Sequence, residues 1–257
     1  MADRTVYLAY FSPAGTTRRS VERVGAGLGP VEAAWDLVEQ PLEGEIVIPK
    51  DGILVAGAPV YAGRIPAIGA QRLSTLRGDN TPAVALAVYG NRAYEDALLE
   101  LRDLLEARGF RVIGAAAVVA QHSIFPNTAH GRPDGADLEK LDAFAASCAR
   151  KAAAFQGEAP LLTVPGDSPY RKPMGVPFRP TADGSCTGCG ACARVCPAGA
   201  IDPARPRESD KDKCIACAAC IRVCPAHARA FRGPVYAAAE KGFALKCRAR
   251  REPEFFC

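Results

Sequence analysis

The chain has 257 residues, of which 49% are hydrophobic and 23% are charged, and its formal net charge is +4 at pH 7. This length allows one large domain or two ordinary ones. No apolar run reaches the roughly 20 residues that a membrane-spanning helix requires, and the charged start, which runs into an apolar stretch, is not typical of a leader. We therefore expect a soluble, cytoplasmic protein.

The first 155 residues alternate short apolar runs with helical patterns, which is typical of a parallel sheet covered on both faces. The apolar runs predict strands near residues 4–11, 33–38, 52–58, 83–89 and 111–120. Helices are predicted between and after these strands, near residues 15–28, 65–76, 93–108 and 134–155. Five strands and four helices favour a doubly wound α/β sheet of order 2-1-3-4-5, in which ligands bind at the carboxyl ends of the strands.

The loop after the first strand is small and carries hydroxyl groups. It reads Phe11-Ser12-Pro13-Ala14-Gly15-Thr16-Thr17-Arg18 and leads directly into a predicted helix. Such a loop can bind phosphate, because its N–H groups donate and the helix dipole favours an anion. An ordinary capped helix start explains the same residues equally well. The loops at 57–64 and 89–94 favour phosphate binding, since they place glycine backbone and tyrosine rings at the same edge of the sheet.

Residues 156–182 are rich in proline and glycine, which predicts a linker. It separates an α/β domain at 1–155 from a smaller domain at 183–257 that ends in a basic tail. This rear part carries 16 Lys and Arg against 10 Asp and Glu from residue 156 onward.

Eight of the eleven cysteines form two copies of one pattern, each cysteine being repeated 28 positions later. The copies are Cys186-x2-Cys189-x2-Cys192-x3-Cys196-Pro197 and Cys214-x2-Cys217-x2-Cys220-x3-Cys224-Pro225. This is the bacterial pattern for two 4Fe-4S clusters, in which the fourth cysteine of each copy binds the other cluster. The pattern therefore predicts one cluster on Cys186, Cys189, Cys192 and Cys224, and a second cluster on Cys214, Cys217, Cys220 and Cys196.

Other roles explain these cysteines less well. Zinc would need only four of the eight and would leave the third cysteine and the Cys-Pro of each copy without a role. A disulfide framework is not expected in a chain without a leader. Of the remaining cysteines, Cys148 lies on an apolar helical stripe and is predicted to be core, whereas Cys247 and Cys257 are predicted to be free thiols.

The basic excess of the rear part does not by itself indicate nucleic-acid binding. Clusters held by thiolates carry negative charge and would neutralise much of it. The remaining basic run predicts a solvated surface. The more specific alternative is that it docks an acidic redox partner. The run consists of Lys241, Lys246, Arg248, Arg250 and Arg251.

The chain resembles the EFR1-type flavodoxin–ferredoxin fusion family, in which a flavodoxin-like domain carries a C-terminal bacterial-type ferredoxin with two 4Fe-4S clusters. The resemblance covers nearly the whole length. It rests on FSPAGTTRR, GAPVYAGRIP and VYGNRAYEDAL after the first, third and fourth strands, on Gln-His-Ser after the fifth, and on the double cysteine motif. It implies FMN and two 4Fe-4S clusters as cofactors.

By position, the resemblance implies two sets of FMN-binding residues. The phosphate would be bound by Ser12, Ala14, Gly15, Thr16 and Thr17, and the ring would be surrounded by Pro59, Tyr61, Gly63, Tyr89, Gly90, Asn91 and Tyr94. The phosphate loop departs from the general flavodoxin pattern, because Pro13 lacks an N–H and Ala14 lacks a hydroxyl. Arg18 is the candidate to compensate for these missing donors.

A chain that binds both cofactors is predicted to transfer electrons, because FMN takes one or two electrons and each cluster takes one. Three alternatives remain open. The protein is a carrier that serves a redox protein partner, or a reductase of a small organic acceptor, or a docking protein whose front domain has lost its flavin. In the reductase, Tyr61, Tyr94 and His122 shape the pocket, and His122 is the candidate catalytic residue.

Overall fold

The computed structural model describes residues 4–39 and 41–257. In chain order, its helices and strands are β1 (Thr5–Tyr10), α1 (Thr16–Ala26), β2 (Val31–Asp36), β3 (Ile46–Ile48), β4 (Gly52–Pro59), α2 (Ala67–Leu73), β5 (Leu76–Gly78), β6 (Thr81–Tyr89), α3 (Ala97–Ala107), β7 (Phe110–Val119), α4 (Gly135–Ala154), β8 (Thr181–Ala182), α5 (Ala191–Arg194), α6 (Ala219–Arg222), β9 (Arg229–Ala230), α7 (Pro234–Lys246) and β10 (Glu254–Phe256). Over these residues, no helix is both long enough and apolar enough to cross a membrane.

The main sheet has the strand order β10-β7-β6-β4-β1-β2. Strands β2, β1, β4, β6 and β7 pair in parallel with their neighbours, whereas β10 pairs antiparallel to β7. Counting only the parallel strands, the order is 2-1-3-4-5, which is the flavodoxin-like order. The predicted fold class of the front part is therefore confirmed.

The two central strands are apolar throughout because both faces of the sheet are covered. In β4, Leu54 and Ala56 face the core formed with α2 and α3, whereas Ile53 and Val55 face the core formed with α1 and α4. Cys148 of α4 is fully buried in the second of these cores, which confirms its predicted place. The continuous burial explains why these strands read as unbroken apolar runs in the sequence.

Close packing of α1 on the sheet fixes the loop that precedes this helix. A Cβ atom at Gly57 would lie 2.4 Å from Cγ2 of Val21 and 2.9 Å from Cγ2 of Thr17. Only glycine therefore allows β4 and α1 to approach this closely. As a result, the loop at 11–15 is held at the carboxyl edge of β1 and β4.

Two predicted helices are shorter in the structure. The helix expected at 65–76 ends at Leu73, and Leu76–Gly78 forms β5, which pairs in parallel with β3. The helix expected at 93–108 begins only at Ala97, because residues 91–96 form an irregular turn in which Asn91 and Glu95 have positive φ.

The last residues of the chain return to the front sheet instead of ending as a tail of the rear part. Strand β10 covers the edge of β7, and Phe255 stacks on Phe144 of α4 with 5.0 Å between ring centroids. Beyond β10, the thiol of Cys148 donates a hydrogen bond to Cys257 and lowers the pKa of Cys257. An edge strand is stabilised when another strand pairs with it, which accounts for this return.

Candidate functional site

A cavity of about 340 Å³ lies at the carboxyl edge of the main sheet. Loops that follow β1, β4, β6 and β7 form its floor, as expected for a ligand site in this fold. Its cover comes from later in the chain, namely from Val176 and Phe178 of the segment 156–180, from Ala216 and from Phe243 of α7. The cavity is large enough for a small-molecule ligand.

Most residues predicted to contact FMN lie at this cavity. Those that line it are Ala14, Thr16, Thr17, Pro59, Tyr61, Tyr89 and Gly90, together with the catalytic candidate His122. Ser12 and Gly15 belong to the same loop but do not line the cavity, because they shape the turn. Gly63, Asn91 and Tyr94 lie elsewhere.

The loop before α1 offers free amides to an anion. Gly15 is the N-cap residue of α1 and has a φ of 89°, and its N–H donates to the Ser12 carbonyl at 3.2 Å. The Ser12 hydroxyl accepts from the Arg18 N–H at 2.8 Å. The N–H groups of Thr16 and Thr17 have no hydrogen-bond partner within residues 4–39 and 41–257. Orphan amides at the start of a helix suit a phosphate group.

Arg18 does not compensate for the missing donors of this loop, contrary to expectation. Its Nε donates to Oε1 of Glu22 at 2.7 Å, and its guanidinium lies 5.9 Å from the centre of the Tyr10 ring. A glutamate one helical turn away is a closer partner for this side chain than the loop. The positive charge is thereby directed away from the cavity.

The other end of the cavity is aromatic. His122, Phe125 and Phe243 are mutually in contact, with ring centroids 4.7 to 5.2 Å apart, and Phe178 packs edge-on against Phe125. We call these four residues the aromatic wall. Such a wall suits a flat apolar ring, so the cavity joins an anion-binding end to an apolar end. FMN has this same combination of phosphate and ring.

His122 is held as a neutral imidazole. Its Nδ1 accepts hydrogen bonds from the N–H groups of Ile124 at 3.2 Å and Phe125 at 3.1 Å. Burial, together with the charge of the nearby Arg92, lowers the pKa of His122 to about 4. With Nδ1 an acceptor, the proton is on Nε2. At neutral pH this side chain can donate a hydrogen bond from Nε2. Because the imidazole is neutral, it has no additional proton to transfer as a general acid.

We expect the His122 imidazole not to titrate between pH 5.5 and pH 8. Burial penalises the charged form, and protonation of Nδ1 would break both backbone hydrogen bonds. Histidine-labelled protein would be followed by NMR, with the resonance assigned from its loss in His122→Gln. A midpoint near 6.5 for His122 would contradict this assignment.

Asn91 and Tyr94 hold the C-terminal segment in place. The Asn91 amide donates to the carbonyls of Cys247 at 2.8 Å and Ala249 at 2.9 Å, and its Oδ1 accepts from the Arg251 N–H. The Tyr94 hydroxyl donates to Oε2 of Glu254 at 2.7 Å. The sequence predicts that both residues lie at the carboxyl edge of the sheet. It could not reveal their hydrogen-bond partners, which are more than 150 residues away in the chain. Gly63 lies in a turn beside Glu95.

Replacing Asn91 by alanine is expected to loosen the segment after α7 while changing flavin affinity less than about twofold. Three hydrogen bonds to the segment are lost, each contributing about 1 kcal/mol, but no cavity wall is removed. Limited proteolysis after residue 246 and flavin titration would measure the two effects. Tyr61→Ala is the comparison, because it removes part of the cavity wall. A loss of flavin affinity in Asn91→Ala that exceeds this limit would show that Asn91 contributes to binding of the flavin ring.

The second cysteine motif lies against the cavity. Ala216 is 2% exposed and lines the cavity, and Cys217 packs in the same core as Tyr61. Burial raises the pKa of Tyr61 well above its usual value, and a negative charge on Cys217 adds to this effect. The phenol is therefore protonated and lies between the cavity and a predicted cluster ligand.

Each cysteine motif has the same backbone geometry. Gly188 and Gly190 of the first motif, and Ala216 and Ala218 of the second, all have φ between 53° and 73°. These left-handed positions precede α5 and α6, and they turn amides toward the thiols. The N–H of Ala191 donates to Cys189, and the N–H of Ala219 donates to Cys217. Such amides stabilise the negative charge of a reduced cluster.

The two motifs are joined head to tail. The N–H of Asp183, before the first motif, donates to the carbonyl of Ala228, after the second, at 3.1 Å. Likewise, the N–H of Asp210, before the second motif, donates to the carbonyl of Ala200, after the first, at 2.7 Å. This places the fourth cysteine of each motif beside the start of the other. Crossed ligation, which stays a prediction, agrees with this arrangement.

The eight motif cysteines are not gathered as a single-ion site. In the described ranges, no group of three or more His, Cys, Asp or Glu side chains is close enough to hold one metal ion. Cys189 of the first motif is exposed, whereas Cys192 of the same motif and Cys217 and Cys220 of the second motif are buried.

Comparisons with known proteins agree with the rear part of this description. A family model described as a 4Fe-4S dicluster domain matches residues 185–228, which include all eight motif cysteines. These residues therefore form a 4Fe-4S ferredoxin-like domain. No curated protein matches the chain.

Several solved structures are similar to the front part. Rubredoxin oxygen:oxidoreductase from the anaerobe Desulfovibrio gigas has 17% identity and a TM-score of 0.43, with 58% of this chain and 36% of that enzyme covered. A flavodoxin from the domain Archaea has 13% identity and a TM-score of 0.38, covering 58% of this chain and 99% of its own. A Fusobacterium nucleatum flavodoxin bound to flavin mononucleotide has 12% identity and a TM-score of 0.38, covering 59% and 98%.

Proposed function

We propose that this chain is an electron-transfer protein of the EFR1-type flavodoxin–ferredoxin fusion family, with FMN in the cavity and two 4Fe-4S clusters on the eight motif cysteines. The observation that carries the proposal is the shared wall between the two sites. Ala216 lines the cavity while the next residue, Cys217, is a predicted cluster ligand packed with Tyr61. Electrons cross short distances through packed protein, so this placement suits exchange between the two kinds of cofactor.

The residues of the cavity fit FMN in three respects. The orphan amides of Thr16 and Thr17 fit its phosphate. The aromatic wall fits its ring. His122 offers one hydrogen-bond donor at that end, because its Nδ1 is occupied and its Nε2 is protonated. When bound, FMN would supply one- or two-electron chemistry and the clusters one-electron chemistry.

The chain itself covers part of the cavity, whereas Cys189 of the ferredoxin-like domain is exposed. Val176, Phe178 and Phe243 cover part of the cavity, which limits the access of water to the ring site. Cys189 does not line the cavity and is exposed to solvent. A protein partner could approach the exposed Cys189 without entering the cavity. We therefore favour the carrier, with a redox protein as partner.

One observation keeps the reductase as a second candidate. Met174 both lines the cavity and is 65% exposed, so a small acceptor has a route past this side chain. The aromatic wall would then bind an organic acceptor beside the ring. His122 would position that acceptor by a hydrogen bond, since it is neutral at physiological pH.

Salt dependence separates the two candidates. For the carrier, we expect electron exchange with an acidic ferredoxin to fall about tenfold between about 50 mM and about 300 mM salt, because exposed Lys241, Lys246 and Arg248 would steer the partner. Arg250 contributes less, since Asp134 and Glu252 already pair with it. Anaerobic stopped-flow absorbance would measure the exchange.

The reductase makes a different prediction. Turnover of a neutral acceptor would be nearly indifferent to salt and would be lost in His122→Ala with the FMN and iron contents unchanged. That result would contradict the carrier. Protein that retains its clusters but binds no FMN would overturn the proposed function and leave docking as the role of the front part.

A further inference from the structure

We propose that Arg222, a residue of the ferredoxin-like domain, binds the FMN phosphate and so replaces the donors that the front loop lacks. Arg222 is the last residue of α6, and its Nε donates to the carbonyl of Pro13 at 2.9 Å. The inference rests on the proposed function, since it assigns a phosphate-binding residue to the FMN site.

The position of the side chain supports this role. Its Cδ lies 3.7 Å from where a Cβ of Gly15 would be, so the guanidinium lies over the N-cap residue of α1. Arg222 also lines a second cavity, which shares Ala14, Thr16 and His122 with the flavin cavity. A cation therefore stands at the anion-binding end of the site.

The terminal nitrogens of Arg222 are available to a ligand. Apart from the Nε bond to Pro13, the Arg222 side chain makes no hydrogen bond or ion pair with any residue that the structure describes. Burial raises the pKa of Asp36 and the Arg222 charge opposes this rise, yet the two side chains form no ion pair within 4 Å. A guanidinium held by one backbone bond can direct two donors at a phosphate.

The internal repeat provides a comparison within the same molecule. Arg194 occupies the position in the first motif that Arg222 occupies in the second, 28 residues later. Nη1 of Arg194 donates to the carbonyl of Cys189 at 3.1 Å, within its own motif. Arg222 instead reaches across to the front loop. The first motif therefore keeps its fold without an arginine contact to the front loop. The contact between Arg222 and Pro13 consequently needs an explanation other than the fold of the motif.

Comparison of FMN with riboflavin tests the role, because riboflavin has the same ring but no phosphate. Anaerobic, cluster-loaded and flavin-free protein would be titrated with each flavin and followed by flavin fluorescence. In Arg222→Gln we expect FMN affinity to fall about tenfold, as for loss of one charge-assisted contact to phosphate, and riboflavin affinity to stay unchanged. Arg222→Lys is expected to keep part of the FMN preference because it keeps the charge.

Two matched variants control for the loss of an arginine as such. Arg194→Gln alters the equivalent position of the first motif, and Arg18→Gln removes the basic residue nearest the loop in sequence. Neither should change the ratio of the two affinities. Equal iron and sulfide contents in all variants would show that the clusters are intact.

The outcomes separate the inference from the proposed function. Unchanged FMN affinity in Arg222→Gln would overturn the inference, and so would an equal loss of both affinities, which would mean that Arg222 only holds the loop. Wild-type protein that binds neither flavin would overturn the proposed function itself. A selective loss of FMN affinity that Arg222→Lys partly restores is the result that supports the assignment.

Discussion

Replacing Cys224 by alanine is expected to remove the cluster bound mainly by the first motif and to leave the other intact, lowering the iron content from about eight atoms per chain to about four. Sequence proximity would suggest the opposite, since Cys224 belongs to the second motif. The hydrogen bond between Asp183 and Ala228 brings the end of the second motif to the start of the first, which is why we expect the crossed effect.

Four variants of motif cysteines and one control variant make this test decisive. With crossed ligation, Cys224→Ala should match Cys189→Ala in electron paramagnetic resonance of the reduced protein, and Cys196→Ala should match Cys217→Ala. Cys247→Ala, which alters a cysteine outside both motifs, should keep all iron. A spectrum of Cys224→Ala that matches Cys217→Ala would show that each motif binds its own cluster. Stoichiometric zinc without sulfide in the wild-type protein would contradict iron–sulfur binding altogether.

The parallel sheet could be predicted because the sequence pattern that indicates each strand lies within that strand. β4 and β6 are apolar at nearly every position, and glycine or polar loops separate them from the helices. The cysteine repeat is equally local, since its spacing alone specifies the kind of cofactor. The places where sequence patterns gave the wrong bounds are short segments such as β5, whose pairing with β3 depends on contacts about 30 residues away.

The cover of the cavity could not be predicted, because it arises from contacts between distant segments. The segment 156–180 has the composition of a linker, yet Tyr170 donates to Asp103 and the Arg171 N–H donates to Asp96 of the front part. These bonds fix the segment so that Val176 and Phe178 lie over the cavity. Proline and glycine predict that the segment is irregular, but they do not predict which part of the protein it packs against.

Local reasoning also proposed a different arginine from the one whose side chain contacts the loop. Arg18 follows the phosphate loop in sequence, but on a helix its natural partner is Glu22, one turn away. Arg222 lies 209 residues from Pro13 and contacts it only because α6 docks on the front loop. A residue that acts across two parts of a fold leaves no signal at its own position. The loop's departure from the flavodoxin pattern, at Pro13 and Ala14, was the available hint that a donor comes from elsewhere.

Replacing Gly15 by aspartate is expected to lower FMN affinity about a hundredfold relative to the replacement by asparagine. Gly15 has a φ of 89°, a conformation that aspartate and asparagine tolerate better than most residues. The two side chains have nearly the same shape, so backbone strain largely cancels in the comparison. What differs is one negative charge beside a phosphate, which after screening by solvent costs about 2 to 3 kcal/mol.

The same comparison shows where the phosphate lies. Riboflavin affinity should be equal in Gly15→Asp and Gly15→Asn, because riboflavin presents no charge to the loop. The difference in FMN affinity should shrink as salt is raised, since Gly15 lies at a partly exposed position. Equal FMN affinity in the two variants at low salt would place the phosphate away from this loop, and the orphan amides of Thr16 and Thr17 would then need another ligand.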